Sequence, residues 1–276
     1  MVLQLDLSNN KLCGIDDDGK GTYNAEGITA IADALRVNGA LTALNLSNNY
    51  LNSESVSAVC EAIQSNKETK LASLNMGKNR FGPVGAKSVA AMVAVTGALT
   101  SLDLSNNALC GLVQGGFGGV SGTYTAEGIT AIADALRVNG ALTVTNLLGN
   151  KLDEESAKVL AEVAKQKGIS LCGIRRDQTT ADFSRQGLNP PDAILLASDL
   201  SQAVVTGALT ALDLTFNYLK DEGVSAVCEA IQSNKETKLA SLNFKNTGIG
   251  PVGANAVAAM VAVTGALTQV LVFRSP

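Results

Sequence analysis

The feature that most constrains this chain is a short pattern of leucines and one asparagine, LxxLxLxxNxL, which returns along its whole length. It occurs as LTALNLSNNYL from Leu41, LASLNMGKNRF from Leu71 and LTSLDLSNNAL from Leu99. Further copies, some degenerate or truncated, start at Val2, Leu142, Gln178, Leu209, Leu239 and Leu267. Such self-similarity is typical of solenoids, in which each unit buries its apolar residues only against its neighbours.

The spacing of the copies indicates what lies between them. The fourth position of the pattern advances by 30 residues from Leu44 to Leu74 and by 28 from Leu74 to Leu102. Intervening stretches such as AEGITAIADALRVN carry apolar residues at helical spacing, for example Ile28 and Leu35. We therefore expect one short strand and one full helix in each repeat.

These motifs resemble the leucine-rich repeat family, and the repeat length of 28 to 30 residues is similar to that of its ribonuclease-inhibitor-like subtype. The resemblance implies an α/β fold: a leucine-rich repeat solenoid, or horseshoe, with a parallel β-sheet on the concave face and α-helices on the convex face. It implies a single domain over 1–276, with about eight repeats, a partial ninth, and insertions at 13–24 and 110–125. It also implies a ladder of asparagines that pair with the backbone of buried turns, at Asn10, Asn49, Asn79, Asn107, Asn150 and Asn217.

Composition excludes several classes of function. The 276 residues include no histidine, which removes Ser–His and Cys–His nucleophilic pairs and histidine-ligated metals. A net charge of −4 without a basic cluster predicts no nucleic-acid binding, and the lack of an apolar run of about 18 residues predicts no membrane insertion. Five cysteines without a CxxC pair fit neither a disulfide framework nor a zinc site. We therefore expect reduced thiols, a cytoplasmic (intracellular) location and no cofactor.

Duplicated blocks indicate where a partner could be recognised. Ala25–Thr42 recurs unchanged as Ala126–Thr143, and Val89–Thr100 recurs as Val257–Thr268. Identical helices cannot each be tailored to a different part of a partner. Specific recognition is therefore expected where the copies differ, which is in the insertions and at the concave positions of the strands.

The insertions carry the first candidate partner-binding residues. Asp16, Asp17 and Asp18 lie in the first insertion, and Phe117 lies among glycines in the second. An exposed aromatic is a reasonable interface anchor, although a glycine-rich loop is also compatible with disorder. The three aspartates suit either a weak Ca²⁺ site or a solvated acidic loop. The same stretch, GIDDDGKGT, approaches a P-loop through Lys20 but lacks the Ser or Thr that binds magnesium, which disfavours nucleotide binding.

The concave positions carry the second set of candidates. In the first eight copies the middle concave residue of the strand, here called the polar column, is Asp or Asn: Asp6, Asn45, Asn75, Asp103, Asn146, Asp182, Asp213 and Asn243. Asp103, Asp182 and Asp213, with the nearby aromatic Phe216, are the candidate contacts for a protein partner. The alternative is a hydrated strand surface on which short polar residues avoid crowding.

Together these features predict a non-enzymatic protein–protein interaction or scaffold module, in one version a subunit of a larger assembly. The alternative is a GTPase-activating protein of the leucine-rich repeat type, for which Arg80 is the candidate arginine. The partner is expected to be a protein of unknown identity. The first strand begins at once with apolar residues and no helix follows the last, so we expect other subunits or further chain to cover the two ends.

Overall fold

The computed structural model describes residues 3–15, 20–114 and 119–272, and it divides the chain into two units. Unit 1 comprises Met1–Lys151 and unit 2 comprises Leu152–Pro276. Both are built from alternating strands and helices, as the repeat spacing predicts. That all repeats form one domain over 1–276 stays a prediction.

Unit 1 contains five parallel strands, hydrogen-bonded in the order β1-β2-β3-β4-β7. Their bounds are β1 Leu3–Asp6, β2 Leu41–Asn45, β3 Ser73–Asn75, β4 Ser101–Asp103 and β7 Val144–Asn146. The helices between them are α1 Glu26–Val37, α2 Ser53–Ser65, α3 Gly82–Val95 and α4 Glu127–Val138, each packed beside the next. The two remaining strands, β5 Val113–Gln114 and β6 Val120–Ser121, pair antiparallel inside the second insertion.

Unit 2 contains four parallel strands, in the order β8-β9-β10-β11. Their bounds are β8 Thr180–Asp182, β9 Ala211–Asp213, β10 Ser241–Asn243 and β11 Gln269–Leu271. The helices are α5 Glu154–Lys167, α6 Pro190–Leu200, the short α7 Ala203–Thr206, α8 Lys220–Ser233 and α9 Pro251–Val263. Nine strands of the repeat type are therefore present among the described residues, which confirms the leucine-rich repeat architecture.

The leucines of the pattern align from strand to strand. Leu44 pairs in register with Leu74, and Leu74 with Leu102, and each of the three is at most 2% exposed. The next residue in this row is Thr145, which is also fully buried. Because strand residues alternate in direction, the neighbours of these leucines on each strand point to the other face of the sheet.

The asparagine ladder has the predicted function. The side-chain amide of Asn79 donates to the carbonyls of Met76 and Leu46 at 2.9 and 3.1 Å. Its Oδ1 accepts from the backbone N–H groups of Asn49 and Leu51 at 3.0 and 3.1 Å, so one side chain joins two repeats. Asn49, Asn79, Asn107, Asn150 and Asn217 are at most 2% exposed, whereas Asn10 is exposed and bonds only to carbonyls of its own turn.

The ladder positions without asparagine behave differently. Gln186 is exposed and donates to the carbonyl of Asp182 at 3.3 Å. Thr247 is buried and donates to the carbonyl of Phe244 at 2.7 Å. A longer amide therefore lies at the surface, and a hydroxyl keeps only the local bond.

The two insertions begin and close in the same way. An antiparallel bridge joins Ile15 to Gly21, and strands β5 and β6 occupy the equivalent place in the second insertion. Gly21 and Gly122 have φ angles of +120° and +107°, and a Cβ at either would lie 2.1 Å from a carbonyl oxygen across the pair. Only glycine fits there. Sequence reasoning treated both insertions as loops and did not predict this pairing.

All five cysteines are buried, and none forms a disulfide, as predicted. Burial raises the pKa of Cys60 and of Cys228 to about 12, so both thiols stay protonated at neutral pH. These two residues fill equivalent places in α2 and α8, where they act as small apolar side chains.

One buried carboxyl orders the irregular stretch that precedes β8. Asp199 of α6 is fully buried and accepts from the backbone N–H of Leu171 at 2.8 Å and that of Cys172 at 3.1 Å. It also accepts from the hydroxyl of Ser170 at 2.7 Å. Burial raises the pKa of Asp199 to about 7, although these hydrogen bonds act in the opposite direction.

Candidate protein-binding surface

The candidate site is built from the residues that follow each strand of the repeat. All eight members of the polar column use a side-chain oxygen to accept from the backbone N–H two residues later, at 2.8 to 3.2 Å. This local bond ends each strand with an Asx-type turn. The polar column therefore has a structural role that explains its restriction to Asp and Asn, and sequence reasoning did not identify this role.

The turn is followed by a residue whose backbone lies in the left-handed region. Three residues after each member of the polar column, φ lies between +54° and +74°. This αL column consists of Asn9, Asn48, Lys78, Asn106, Gly149, Arg185, Phe216 and Asn246. Asn and Gly tolerate this conformation, whereas other residues pay about 1–2 kcal/mol for it. Lys78, Arg185 and Phe216 are therefore the members whose side chains oppose the local backbone.

Two of these exceptions lie together in unit 2. The guanidinium of Arg185 is stacked over the ring of Phe216, 4.3 Å from its centroid. Phe216 is 41% exposed, and Tyr218, two residues further along the chain, is 70% exposed. A cation over an aromatic face contributes roughly 0.5–1 kcal/mol at an exposed site. The stack thus offsets part of the backbone strain and presents a flat surface to the solvent.

Two carboxylates stand at the strand ends before this stack. Asp182 and Asp213 pair in register on β8 and β9. Hydrogen bonds from the hydroxyl and the backbone N–H of Ser184 lower the pKa of Asp182, which keeps it ionised. Asp213 accepts from the backbone N–H of Thr215 at 2.8 Å, and its second oxygen accepts from the amide of Asn243 at 3.2 Å.

The structure brings some of the predicted residues together and not others. Asp182, Asp213 and Phe216 lie on neighbouring strands and turns of unit 2. Asp103 lies in unit 1, where it accepts from Ser105 and from the amide of Asn146 at 3.1 Å. The insertion candidates Asp16, Asp17, Asp18 and Phe117 lie outside the described residues.

Sequence reasoning missed Arg185 and Tyr218. The available signal was a position that is Asn or Gly in five of its eight copies and Arg in this one, but its meaning depends on the positive φ. The arginine that was nominated, Arg80, is exposed in unit 1, with its guanidinium 5.3 Å from the ring centroid of Tyr50.

The described residues contain neither a metal-binding cluster nor a membrane-spanning helix. No group of three or more His, Cys, Asp or Glu side chains there could hold a metal ion. Within the same ranges, no helix combines the length and the apolar character needed to cross a bilayer.

Comparisons with known proteins agree with the repeat architecture. Sequence models described as Leucine Rich repeat match residues 67–90 and 209–228, and a further one matches residues 98–120. The ribonuclease inhibitor of Mus musculus is 24% identical over 259 residues, which cover 87% of this chain and 53% of that protein. The ribonuclease inhibitor of Sus scrofa is 24% identical over 255 residues, with the same two coverages.

A third relative is much longer. NACHT, LRR and PYD domains-containing protein 14 of Mus musculus is 26% identical over 241 residues, which cover 80% of this chain and 22% of that protein. The chain thus spans from about a fifth to about half of the length of these relatives. Nine strands in the repeat register, the buried asparagine ladder and these similarities together lead to one conclusion. The chain is a leucine-rich repeat protein that resembles the ribonuclease-inhibitor-like subtype.

Proposed function

We propose that this chain is a non-enzymatic protein-binding module and that Arg185, Phe216 and Tyr218 form the centre of its contact surface in unit 2. The observation that carries the proposal is Phe216, an exposed phenylalanine in a left-handed conformation. Five of the eight copies of this position have Asn or Gly, which fit the backbone without strain. Strained, exposed residues of this kind are typical of functional positions.

The composition of the surface supports the same proposal. Arginine and tyrosine are enriched among the residues that carry most of the binding energy in protein interfaces. Asp182 and Asp213 add negative charge to a surface that already holds the positive charge of Arg185. Charges of both signs favour a partner with the complementary pattern and fix its register on the surface. Two relatives are named as inhibitors of ribonuclease, and by analogy the partner of this chain is a folded protein. Within a larger assembly the module would serve as a scaffold subunit.

The experiment replaces Phe216 by a residue that relieves the backbone strain, and it measures both stability and partner binding. In Phe216→Asn, the backbone receives the residue that this turn favours, so we expect the free energy of unfolding to stay level or to rise by up to about 1 kcal/mol. The variant loses the aromatic anchor, so we expect the amount of partner retained from an extract of the source cells to fall at least about tenfold. Quantitative mass spectrometry of proteins captured by the immobilised chain measures the second effect.

A matched control is available in the same column. Lys78→Asn relieves the same positive-φ strain in unit 1 without removing an aromatic residue. This variant should therefore capture the same amount of partner as the wild type. Equal capture of the same proteins by wild type and Phe216→Asn would refute the proposal. The alternative function is tested separately: we expect no stimulation of GTP hydrolysis by a panel of small GTPases, with or without Arg80→Ala.

A further inference from the structure

Helices of this chain that repeat the same or nearly the same sequence differ in which neighbouring element packs on them. Helix α9 repeats the sequence of α3 except that Asn255 and Ala256 replace Lys87 and Ser88, and Val89–Thr100 recurs unchanged as Val257–Thr268. Helix α1 repeats that of α4, since Ala25–Thr42 recurs as Ala126–Thr143. Helices α3 and α4 pack directly against each other in unit 1. The chain therefore contains a counterpart of each of the two helices that form the α3–α4 interface.

The face of α3 that meets α4 is exposed in α9. Ala86 is 0% and Val93 is 3% exposed in α3. Their counterparts in α9 are Ala254, which is exposed, and Val261, which is 48% exposed. The same apolar side chains are thus dry in one copy and in contact with solvent in the other.

The complementary face of α4 is exposed in α1. Ile132 is 3% and Ala135 is 5% exposed in α4. In α1 the counterpart of Ala135 is the exposed Ala34, and that of Ile132 is the half-buried Ile31. The exposed face of α9 and the exposed face of α1 therefore correspond to the two sides of the α3–α4 contact.

We propose that this chain binds a second copy of itself head to tail, with α1 of one copy packed on α9 of the other in the geometry of the α3–α4 contact. The association is heterologous, because the two faces differ, and it can propagate from copy to copy. It is distinct from the protein-binding surface proposed above, which lies at the ends of β8 and β9.

The close approach of α3 and α4 depends on residues that the second pair retains. Gly128 of α4 lies so near α3 that a Cβ there would be 2.9 Å from the Cβ of Ala86 and 3.1 Å from the Cα of Pro83. The counterparts at the proposed joint are Gly27 on one side and Ala254 with Pro251 on the other. A glycine facing an alanine lets the two helix backbones approach as they do in unit 1.

A buried amide that closes the α3–α4 contact is also duplicated. Asn139 donates to the carbonyls of Val93 and Thr96, at the end of α3, at 2.7 and 3.0 Å. Its counterpart Asn38 accepts through Oδ1 from the backbone N–H groups of Ala40 and Leu41, as Asn139 does from the two equivalent residues. The side-chain NH₂ group of Asn38, however, donates to no described residue. At the joint this amide would meet the equivalent carbonyls at the end of α9.

If α1 of one copy packs on α9 of another, strand β1 must take the place of strand β11. In unit 1 the one strand of the parallel sheet between α3 and α4 is β4, so a joint of the same geometry has room for one strand beside β10. Strand β11 holds that place within a copy, and β1 of the second copy would arrive with α1. Strand β1 matches β4 more closely, since Leu5 and Asp6 correspond to Leu102 and Asp103, whereas β11 has Val270 and Leu271. The proposal therefore includes replacement of β11 by β1.

One departure weakens the joint. Across the α3–α4 contact, Lys87 pairs with Glu127 at 2.5 Å. Glu26 preserves the carboxylate in α1, but Asn255 stands in α9 at the place of Lys87. The variant Asn255→Lys restores the missing partner and should strengthen the association, more at low salt than at high salt.

The test uses two variants that each disable one face. Ala254→Arg blocks α9 and Ala34→Arg blocks α1, and both changes are at exposed positions that a single folded chain tolerates. By light scattering after gel filtration, from about 1 to about 200 µM, the wild-type mass should rise with concentration, and each variant alone should stay at one chain. An equimolar mixture should form one heterodimer and nothing larger, because one complementary pair of faces remains.

Controls and a strand variant complete the test. Ala259→Arg should associate like the wild type, because Ala259 and its counterpart Ala91 are both exposed. Gln269→Pro removes the N–H that donates to the carbonyl of Ala240, which loosens β11 and should tighten the association severalfold. A wild-type mass that stays at one chain overturns the proposal, and so does a mixture of the two blocked variants that yields no heterodimer.

Discussion

Thr145 is the position where a single substitution should make this protein more stable. It occupies the row of inward leucines, in register with Leu102, and is 0% exposed. Its hydroxyl has no hydrogen-bond partner, and the neighbouring gap between Val93, Leu104 and Leu136 has no room for a water molecule. The hydroxyl is therefore buried without compensation.

The magnitude follows from this environment. An orphaned hydroxyl in a protein interior costs about 1–3 kcal/mol, and valine has the shape of threonine without the polar group. Thr145→Val should therefore raise the free energy of unfolding by about 1–2 kcal/mol, which is a rise of about 2–8 °C in the melting temperature. Thr145→Leu restores the leucine of the pattern, but the narrow gap makes strain from overpacking offset part of its gain.

Urea unfolding followed by circular dichroism measures the effect. Thr180→Val is the matched control, because Thr180 lies on strand β8 with its side chain exposed, and it should change the stability by less than about 0.5 kcal/mol. A Thr145→Val protein that is less stable than the wild type would show that the hydroxyl finds a partner in solution and that the reasoning is wrong.

Two further predictions concern buried polar groups. Asn79→Ala removes a side chain that bonds to backbone groups of two repeats, so it should lower the free energy of unfolding by at least about 3 kcal/mol. Asn10→Ala, at an exposed ladder position, should lower it by less than about 1 kcal/mol. Equal losses of the two variants in urea unfolding would contradict a special role for the buried ladder. Burial raises the pKa of Asp199 to about 7, so the folded state holds a proton that the unfolded state releases near pH 4. The contribution of Asp199 to stability should therefore fall, by roughly 3–4 kcal/mol, as the pH rises from about 4 to about 7. Asp199→Asn should lack this fall, and identical pH profiles of wild type and variant would refute the assignment.

The repetitive part of the fold was predictable because the repeat states the same local rule many times. Leucine spacing placed the strands, and the register of Leu44, Leu74 and Leu102 agrees with it. The antiparallel pairing within the insertions was not predictable, because it depends on two glycines, Gly21 and Gly122, that approach a carbonyl across the turn. No periodicity marks such a contact.

The candidate site was predictable only in part. Asp182, Asp213 and Phe216 stood out as residues that vary on a uniform scaffold, and the structure places them on adjacent strands and turns. The role of Arg185 was hidden, because a stacked guanidinium and a positive φ are properties of the folded backbone. The contributions of the insertion residues Asp16–Asp18 and Phe117 stay predictions.

The sequence alone determined the repeat, its period, the identity of the inward leucines and the ladder, because each of these depends on side-chain chemistry at fixed spacing. Tertiary structure decided what covers each copy. Ala86 and Ala254 both follow the sequence Gly-Pro-Val-Gly, yet Ala86 is buried and Ala254 is exposed, because burial depends on the neighbouring repeat. For the same reason a threonine in the leucine row is ordinary in the sequence and becomes an unpaired hydroxyl only when the repeats on both sides close over it.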